Sequence, residues 1–207
     1  MQDRRLSRRA TSRWIAATIL TFVVTSTLGC GHINTSGRAS SYLQIDLLEA
    51  ASGATPTIFT TLLQSDVVTK GGVFEDVGQV SLRMALKDPG LAGVPNSPSS
   101  VNLITVTRYH VTYRRSDGRN TAGVDVPYAF DGAVTGTIDV IGGKLIFVLV
   151  RGQAKLEAPL AALRGGGGAA VISTIADVTF YGQDQNGNQV SVSGSISVNF
   201  ADWADPV

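Results

Sequence analysis

The sequence predicts an all-β protein that folds as a single antiparallel β-sandwich of about seven to eight strands. Three observations support this prediction. Apolar and polar residues alternate along several short segments, as they do in strands with one buried face. Turn signals such as Asp88-Pro89-Gly90 and Asn186-Gly187 separate these segments. Charged residues make up only 16% of the chain, and Gly, Val, Ser and Thr are abundant, which is typical of β-rich domains.

The folded domain is predicted to begin with two extended segments. Residues 42–47 form a strand that places Leu43, Ile45 and Leu47 on one face. Residues 58–69 form the second segment, although their pattern is mixed. One face of the first strand is therefore expected to lie in the core.

A third strand and a loop follow. Residues 80–86 alternate between apolar and polar side chains and are ended by a turn, so they predict a strand with one buried face. The next stretch, through residue 100, is rich in Pro, Asn and Ser. That composition opposes regular structure and predicts a surface loop.

Residues 101–115 form the longest predicted strand. Ile104 and Val106 occupy even positions, whereas from Tyr109 onward the apolar residues occupy odd positions. A period of two changes parity only where a residue is inserted into the strand pairing. The sequence therefore predicts a β-bulge near residues 105–108.

Three segments in the middle of the chain also read as strands. Residues 125–130 are predicted to be an edge strand, because Pro127 has no N–H to donate to a neighbour. Residues 134–140 alternate and end at a pair of glycines. Residues 145–150 are apolar on both faces, which predicts a strand covered on both sides.

The C-terminal third carries the clearest pattern. A short helical turn is predicted over residues 157–163, and the four consecutive glycines at 165–168 are expected to have no fixed backbone. Residues 172–180 and 190–200 then alternate on either side of Asn186-Gly187, a dipeptide suited to a tight turn. Together they predict a hairpin with a firmly specified register.

The strand layout resembles that of immunoglobulin-like and fibronectin type III-like modules of bacterial envelope proteins. The resemblance depends on the Tyr109-x-Val111-x-Tyr113 strand and on the run from Tyr181 to Asp184 that leads into Asn186-Gly187. It covers about residues 75–200. It implies a β-sandwich and brings no functional residue with it.

The N-terminal region predicts export. Five arginines precede residue 14, an uncharged run extends to Leu28, and Gly29 then precedes Cys30, the only cysteine of the chain. This arrangement resembles the lipobox of bacterial lipoproteins, although Thr27 stands where that family usually has an aliphatic residue. The resemblance implies that the Cys30 thiol is lipidated and becomes the new N-terminus.

The alternatives for this region are a retained signal anchor and a simple cleaved signal. Lipidation divides the chain into a signal peptide (1–29), a lipidated cysteine with a flexible tether (30–41) and a β-sandwich domain (42–207). Localisation follows as the bacterial cell envelope, with the protein anchored by lipid to a membrane that faces the periplasm or the exterior.

The charge balance argues against nucleic acid as a partner. Of 17 Lys and Arg residues five precede Cys30, and of 16 Asp and Glu residues one does, which leaves 12 positive and 15 negative charges. The mature chain is therefore near −3 and has no positive field to attract a polyanion.

Candidate ligand-binding residues occur on or beside the predicted strands. They are Arg108, His110, Arg114, Tyr128 and Phe130. The basic residues would project from one face, joined by Arg83 if its strand is adjacent, and could bind an anionic saccharide or carboxylates of a partner. Solvated strand residues and ordinary packing are the simpler explanations.

The sequence predicts no catalytic residues, no metal site and no cofactor, because no acid–base, nucleophilic or ligand cluster has the required spacing. The prediction for function is accordingly a lipid-anchored, non-enzymatic binding or structural module of the envelope, with an envelope protein or a glycan as partner. The alternative is a carbohydrate- or small-ligand-binding lipoprotein.

Overall fold

The computed structural model describes residues 37–203, which belong to one compact unit. The lipobox, Cys30 and the first part of the predicted tether lie outside the described residues. No helix within residues 37–203 has both the length and the apolar character needed to cross a bilayer.

Strands dominate the described part of the chain. They are β1 (Ser41–Ala51), β2 (Leu62–Asp66), β3 (Asp76–Leu86), β4 (Gly90–Leu91), β5 (Val94–Pro95), β6 (Ile104–Arg114), β7 (Phe130–Ile138), β8 (Gly143–Val150), β9 (Ile172–Asp184) and β10 (Gln189–Ala201). The helical elements are a 3₁₀ turn (Ser100–Asn102), helix α1 (Gly152–Leu156) and a second 3₁₀ turn (Leu160–Leu163).

The strands form three sheets. One has the order β1-β3-β8, the second has the order β2-β10-β9-β6-β7, and β4 and β5 form a separate ribbon. All neighbours are antiparallel except β2 and β10, which are parallel. The all-β prediction is confirmed. The expected seven to eight strands are not, since residues 37–203 form ten, three of which (β2, β4 and β5) have five residues or fewer.

One hydrophobic core joins the inner faces of the two larger sheets. Phe147 of β8 packs edge-on against Tyr109 of β6 and Phe180 of β9, with ring centroids 5.1 Å apart in both pairs. Aromatic side chains bury large areas and favour such edge-to-face contacts. The three rings therefore hold the sheets together near the middle of the domain.

Two tyrosine hydroxyls of β6 also connect the sheets. The amide of Val148 donates a hydrogen bond to the hydroxyl of Tyr109 at 3.1 Å, and the hydroxyl of Tyr113 donates to the carbonyl of Leu149 at 2.5 Å. Because β8 pairs with β3 alone, its other edge would leave backbone groups without partners. The tyrosines satisfy two of these groups.

The β-bulge expected near residues 105–108 is confirmed. The register of β6 shifts between Val106 and Arg108 in its pairing with both β7 and β9. Gly182 lies opposite, where a Cβ atom would come within 2.4 Å of the Thr105 carbonyl oxygen. The bulge thus requires a glycine on the neighbouring strand. Because of the bulge, the apolar residues of β6 face the core both before and after the change of parity.

The face predicted for the first strand is partly wrong. Leu43 is buried as expected, but the register of β1 shifts between Ile45 and Leu47. As a result Leu48 is buried while Leu47 is 41% exposed. The sequence does not reveal this register shift, because Leu47 and Leu48 are both apolar and either of them could occupy the buried position.

Two predictions for the middle of the chain are also wrong. Residues 125–129 are not a strand; the edge strand is β7, which begins at Phe130, and Val126 forms only an isolated bridge. Residues 145–150 form β8, but Ile146 is 53% exposed, so the strand is covered on one side only. β8 ends its sheet and nothing packs over the outer position of Ile146.

The loop predicted before residue 100 contains the short β4–β5 ribbon. The helical turn predicted near 157–163 is confirmed by the 3₁₀ turn Leu160–Leu163, whereas α1 was not anticipated. Three of the four consecutive glycines have positive φ, as their composition allows.

The C-terminal hairpin is confirmed with its predicted faces. β9 and β10 pair from Ile172–Phe200 to Gln183–Gln189, and the turn between them has Gly187 at a φ of +81°. Phe180 and Phe200 are fully buried, while the serines of β10 are exposed. Alternation over two long strands left only one register in which the apolar set is buried.

The last residues of the predicted tether pack on the domain. Ala39 is buried, the hydroxyl of Ser41 donates to the carbonyl of Asn102 at 2.6 Å, and Lys87 donates to the carbonyl of Gly37 at 2.9 Å. The fold therefore begins a few residues before position 42, because these small residues fit against the start of β6 and the end of β3.

Candidate functional site

The outward-pointing residues of β6, β7, β9 and β10 form a continuous polar surface, called here the outer face. The predicted Arg108, His110 and Arg114 all lie on it. The set comprises Thr105, Arg108, His110, Thr112, Arg114, Asp131, Thr137, Asp177, Thr179, Tyr181, Ser191, Ser193, Ser195 and Ser197. Arg114 lies six positions after Arg108 on β6, so at ~3.4 Å per residue the surface extends over about 20 Å.

One end of the outer face contains a cluster around Arg108. The guanidinium of Arg108 lies 3.7 Å from the centre of the Tyr181 ring, and its Nη1 lies 3.4 Å from Oδ1 of Asp131. The same carboxylate oxygen is 3.1 Å from Nδ1 of His110. Stacking and charge pairing together hold the arginine flat against the sheet.

Arg114 forms a second cluster toward the other end. Its Nε donates to Oδ2 of Asp177 at 2.6 Å, and the hydroxyl of Ser195 donates to Oδ1 at 2.5 Å. Partial burial raises the pKa of Asp177, but these hydrogen bonds and the positive charge of Arg114 outweigh burial and bring the pKa below its ordinary value of 3.8. The carboxylate is thus held ionised.

Hydroxyl pairs connect neighbouring strands between and beside these clusters. Thr179 and Ser193 lie 2.8 Å apart across β9 and β10, and Thr105 and Thr137 lie 3.0 Å apart across β6 and β7. Such cross-strand pairs fix side chains on the sheet surface. The outer face therefore presents ordered hydroxyl groups rather than mobile ones.

The predicted basic patch is not a patch of free charge. Arg108 faces Asp131 and Arg114 faces Asp177, so each guanidinium already has a carboxylate partner. Arg83 is not adjacent: it lies on β3 of the other large sheet and pairs with Asp46 at 2.8 Å. An anionic ligand would have to displace these carboxylates, which makes the outer face a poor receptor for isolated anions.

The two aromatic candidates are not brought together. Phe130 is buried, edge-on to Tyr109 at 6.2 Å, and the Arg151 guanidinium lies 4.6 Å from its ring centre. Tyr128 is 52% exposed, and its ring covers Gly123, whose Cβ position lies 2.3 Å from the phenolic oxygen. Phe130 is a core residue, and Tyr128 closes a turn.

Comparisons with known proteins add no family. No protein-family model, curated protein or solved structure matches this chain. Function is therefore inferred from the sequence and from the geometry of residues 37–203.

A buried polar cluster lies away from the outer face and was not predicted. Nζ of Lys155 on α1 donates to Oδ1 of Asp76 at 2.8 Å, and the Ser65 hydroxyl donates to Oδ2 at 2.5 Å. Burial raises the pKa of Asp76, while the charge and hydrogen bond of Lys155 act in the opposite direction. Both charged side chains are 1% exposed or less, so a substrate has no access to them. The ion pair attaches α1 to β3.

The turn that joins β9 and β10 has the Asp-x-Asn-x-Asn pattern of a calcium loop, but its carboxylate binds backbone amides of the same turn. Asp184 accepts hydrogen bonds from the backbone amides of Asn186 and Asn188, both at 2.9 Å. Within residues 37–203, no three His, Cys, Asp or Glu side chains lie close enough together to hold a metal ion.

Sequence reasoning missed the partners of the arginines. The alternation of β9 places Asp177 and Tyr181 opposite its buried residues, so their outward direction could have been read. Their contact with β6 could not, because it depends on the order β9-β6-β7, which crosses long stretches of sequence.

Proposed function

We propose that this protein is an exported bacterial lipoprotein, lipidated at Cys30, whose β-sandwich domain serves as a non-enzymatic interaction module in the cell envelope. The observation that carries the proposal is Gly29-Cys30 at the end of an uncharged run that follows five arginines. The unpaired thiol supports it further, since a free cysteine with no partner is a liability in an oxidising compartment.

The sandwich architecture is part of the same proposal. The shared core of the two larger sheets and the three aromatic rings that meet between them support it. The likeness to immunoglobulin-like and fibronectin type III-like modules stays a prediction.

The outer face is the surface we assign to the partner. It is about 20 Å long, polar and electrically balanced, and its side chains are held by ion pairs and hydroxyl pairs. Transient protein interfaces are about as polar as ordinary surface, and ordered side chains lose little entropy on binding. A protein partner fits these properties better than an isolated anion.

Lipidation is tested with Cys30→Ser. The wild-type precursor should incorporate labelled fatty acid and partition into detergent, and Cys30→Ser should do neither. Thr27→Leu is the matched control, because it brings the signal closer to the family pattern and should keep or increase incorporation. Equal detergent partitioning of wild type and Cys30→Ser would overturn the lipoprotein assignment.

The outer face is tested by crosslinking in envelope membranes. Ser193→Arg places a bulky charge in the middle of this surface and should abolish capture of the partner. Ile146→Arg changes an exposed position on the other large sheet and should retain it. If both variants retain the partner, the outer face is not the interface; if a glycan array binds the protein while crosslinking yields nothing, the carbohydrate-binding alternative replaces the proposal.

A further inference from the structure

One end of the domain, called here the proximal end, is where the described chain begins. Ser41 at the start of β1 pairs with Leu86 at the end of β3, and Gly143 at the start of β8 pairs with Leu82. The ribbon β4–β5 and the turn between β7 and β8 lie at this same end. Asn102 ties the second large sheet to it by a hydrogen bond with Ser40.

The proximal end carries the most exposed aliphatic side chains of the described residues. Ile141 in the β7–β8 turn is 90% exposed, and Leu91 and Val94, which pair across the ribbon, are 77% and 72% exposed. Exposed apolar residues at loop tips indicate contact with an apolar partner or a membrane.

The backbone holds these side chains outward. Oδ1 of Asp139 accepts hydrogen bonds from the amides of Ile141 and Gly142 at 2.8 and 2.9 Å, and Oδ1 of Asp88 accepts one from the amide of Gly90 at 2.9 Å. The carboxylates of both turns are thus directed at their own backbone. The aliphatic tips need no rearrangement to meet a surface.

The sequence places this end next to the proposed lipid. Gly37 lies only seven positions after Cys30 in the sequence, which at ~3.3–3.6 Å per residue is at most about 25 Å. Arg38, Lys87 and Lys144 belong to the same end, where Lys87 donates to the carbonyl of Gly37, so the basic residues there outnumber the carboxylates of Asp88 and Asp139 by one. Apolar tips beside basic side chains are suited to the interface of a bilayer that contains anionic lipids.

We propose that the proximal end rests on the membrane, with Ile141, Leu91 and Val94 inserted among the lipid head groups, so that the domain is oriented and not merely tethered. This inference depends on the proposed lipidation at Cys30. Insertion of these side chains adds a second membrane contact to the lipid, and the strength of membrane binding rises with the apolar area that is buried.

The test replaces the biological lipid with a chemical one. The chain from Cys30 onward, which contains the whole compact unit, is coupled through its only thiol to maleimide lipid in vesicles of phosphatidylethanolamine and phosphatidylglycerol. Amide hydrogen exchange is compared with that of the thiol-capped protein in solution. Amide exchange over residues 90–95 and 139–142 should slow by about tenfold on vesicles. Burial of two or three aliphatic side chains favours the membrane-inserted state of these tips over the free state by at least that factor.

Matched variants identify the contact. The double variant Leu91→Ser/Ile141→Ser should exchange at the solution rate even on vesicles, because it lacks two of the inserted side chains. Both side chains are exposed in the free protein, so their loss leaves the core intact. Val124→Ser, at an exposed aliphatic residue in the loop between β6 and β7 at the other end of the strands, should keep the protection.

Two results would overturn the inference: unchanged exchange in both segments on vesicles, or protection that appears only after envelope protein is added. The coupling is chemical, so these results do not depend on whether cells lipidate Cys30. Failure of the proposed lipoprotein function is detected separately, by the fatty-acid labelling of Cys30→Ser.

Discussion

The rings of Tyr109 and Phe147 meet edge-on in the core, with centroids 5.1 Å apart and planes inclined by 61°. Each ring also lies over a glycine that is its direct cross-strand neighbour. Tyr109 pairs with Gly132 and Phe147 pairs with Gly78. A Cβ atom at either glycine would lie 2.2–2.3 Å from the ring that covers it. The glycines therefore make room for the contact that joins the two sheets.

Gly78→Ala should destabilise the fold by about 1–3 kcal/mol, because the added methyl group displaces the Phe147 ring in a packed core. Chemical denaturation measures the free energy of unfolding. Gly93→Ala is the control, since nothing lies within 4 Å of its Cβ position and the change should be near neutral. Equal effects of the two substitutions would contradict the role assigned to Gly78.

The register shift in β1 predicts opposite outcomes for adjacent leucines. Leu48→Ala removes a buried side chain and should cost about 2–5 kcal/mol, whereas Leu47→Ala removes one that is 41% exposed and should cost less than about 1 kcal/mol. Thermal or urea unfolding of both variants decides the matter. A larger loss for Leu47→Ala would mean that β1 has the unshifted register.

Lys155→Met should destabilise the protein by about 3–5 kcal/mol at pH 7, because it leaves the Asp76 carboxylate buried without a counter-charge. Burial already raises the pKa of Asp76, and the variant lacks the lysine that lowers it. A raised pKa in the folded state means that stability is recovered as the pH falls and the carboxyl group takes up a proton.

The loss of stability in Lys155→Met relative to the wild type should accordingly become smaller as the pH is lowered from 7, which urea unfolding at several pH values can measure. Lys144→Met, at an exposed lysine of β8, is the matched control and should change stability by less than about 0.5 kcal/mol. A loss that does not vary with pH would show that Asp76 is not the group left unpaired.

The buried hydroxyl of Tyr113 is expected to make the stability of the fold fall at alkaline pH. Burial raises the pKa of its hydroxyl above the ordinary value of 10.0, as it does for Tyr109. Above pH 10 the unfolded chain loses this proton while the folded protein keeps it, so the free energy of unfolding falls as the pH rises. The slope approaches ~1.4 kcal/mol per pH unit for each such group.

Tyr113→Phe removes both the hydrogen bond to Leu149 and this titration. It should be about 0.5–1.5 kcal/mol less stable than the wild type at pH 7, and the difference should narrow above pH 10. Unfolding curves at pH 7, 9 and 11 measure the effect. Parallel pH profiles of the two proteins would refute it.

Sequence patterns within one or two segments predicted the features that those segments determine by themselves. The bulge in β6 and the register of the C-terminal hairpin follow from the parity of apolar residues in one or two segments, and both are confirmed. The shift in β1 was hidden, because Leu47 and Leu48 are equally apolar. Only packing against the other sheet selects between them.

Contacts between distant segments were beyond sequence reasoning. Lys155 reads as an ordinary surface lysine in a short polar stretch, yet it reaches Asp76 across 79 residues. Arg108 and Arg114 could be placed on an outer face, but the acidic residues that neutralise them come from β7 and β9, whose neighbours depend on the strand order. The outward direction of the arginines could thus be read from the sequence but their ion pairs could not, and a role of these residues in binding stays a prediction.

The hydroxyls of Tyr109 and Tyr113 also occupy backbone groups at an edge of the smaller of the two large sheets. A strand from another molecule can extend a sheet only where backbone donors and acceptors stand free along an edge. On β8 the amide of Val148 and the carbonyl of Leu149 are already engaged by these phenols. A strand of another molecule could pair with these two groups only by displacing the phenols, so edge-to-edge association is hindered at the C-terminal part of β8.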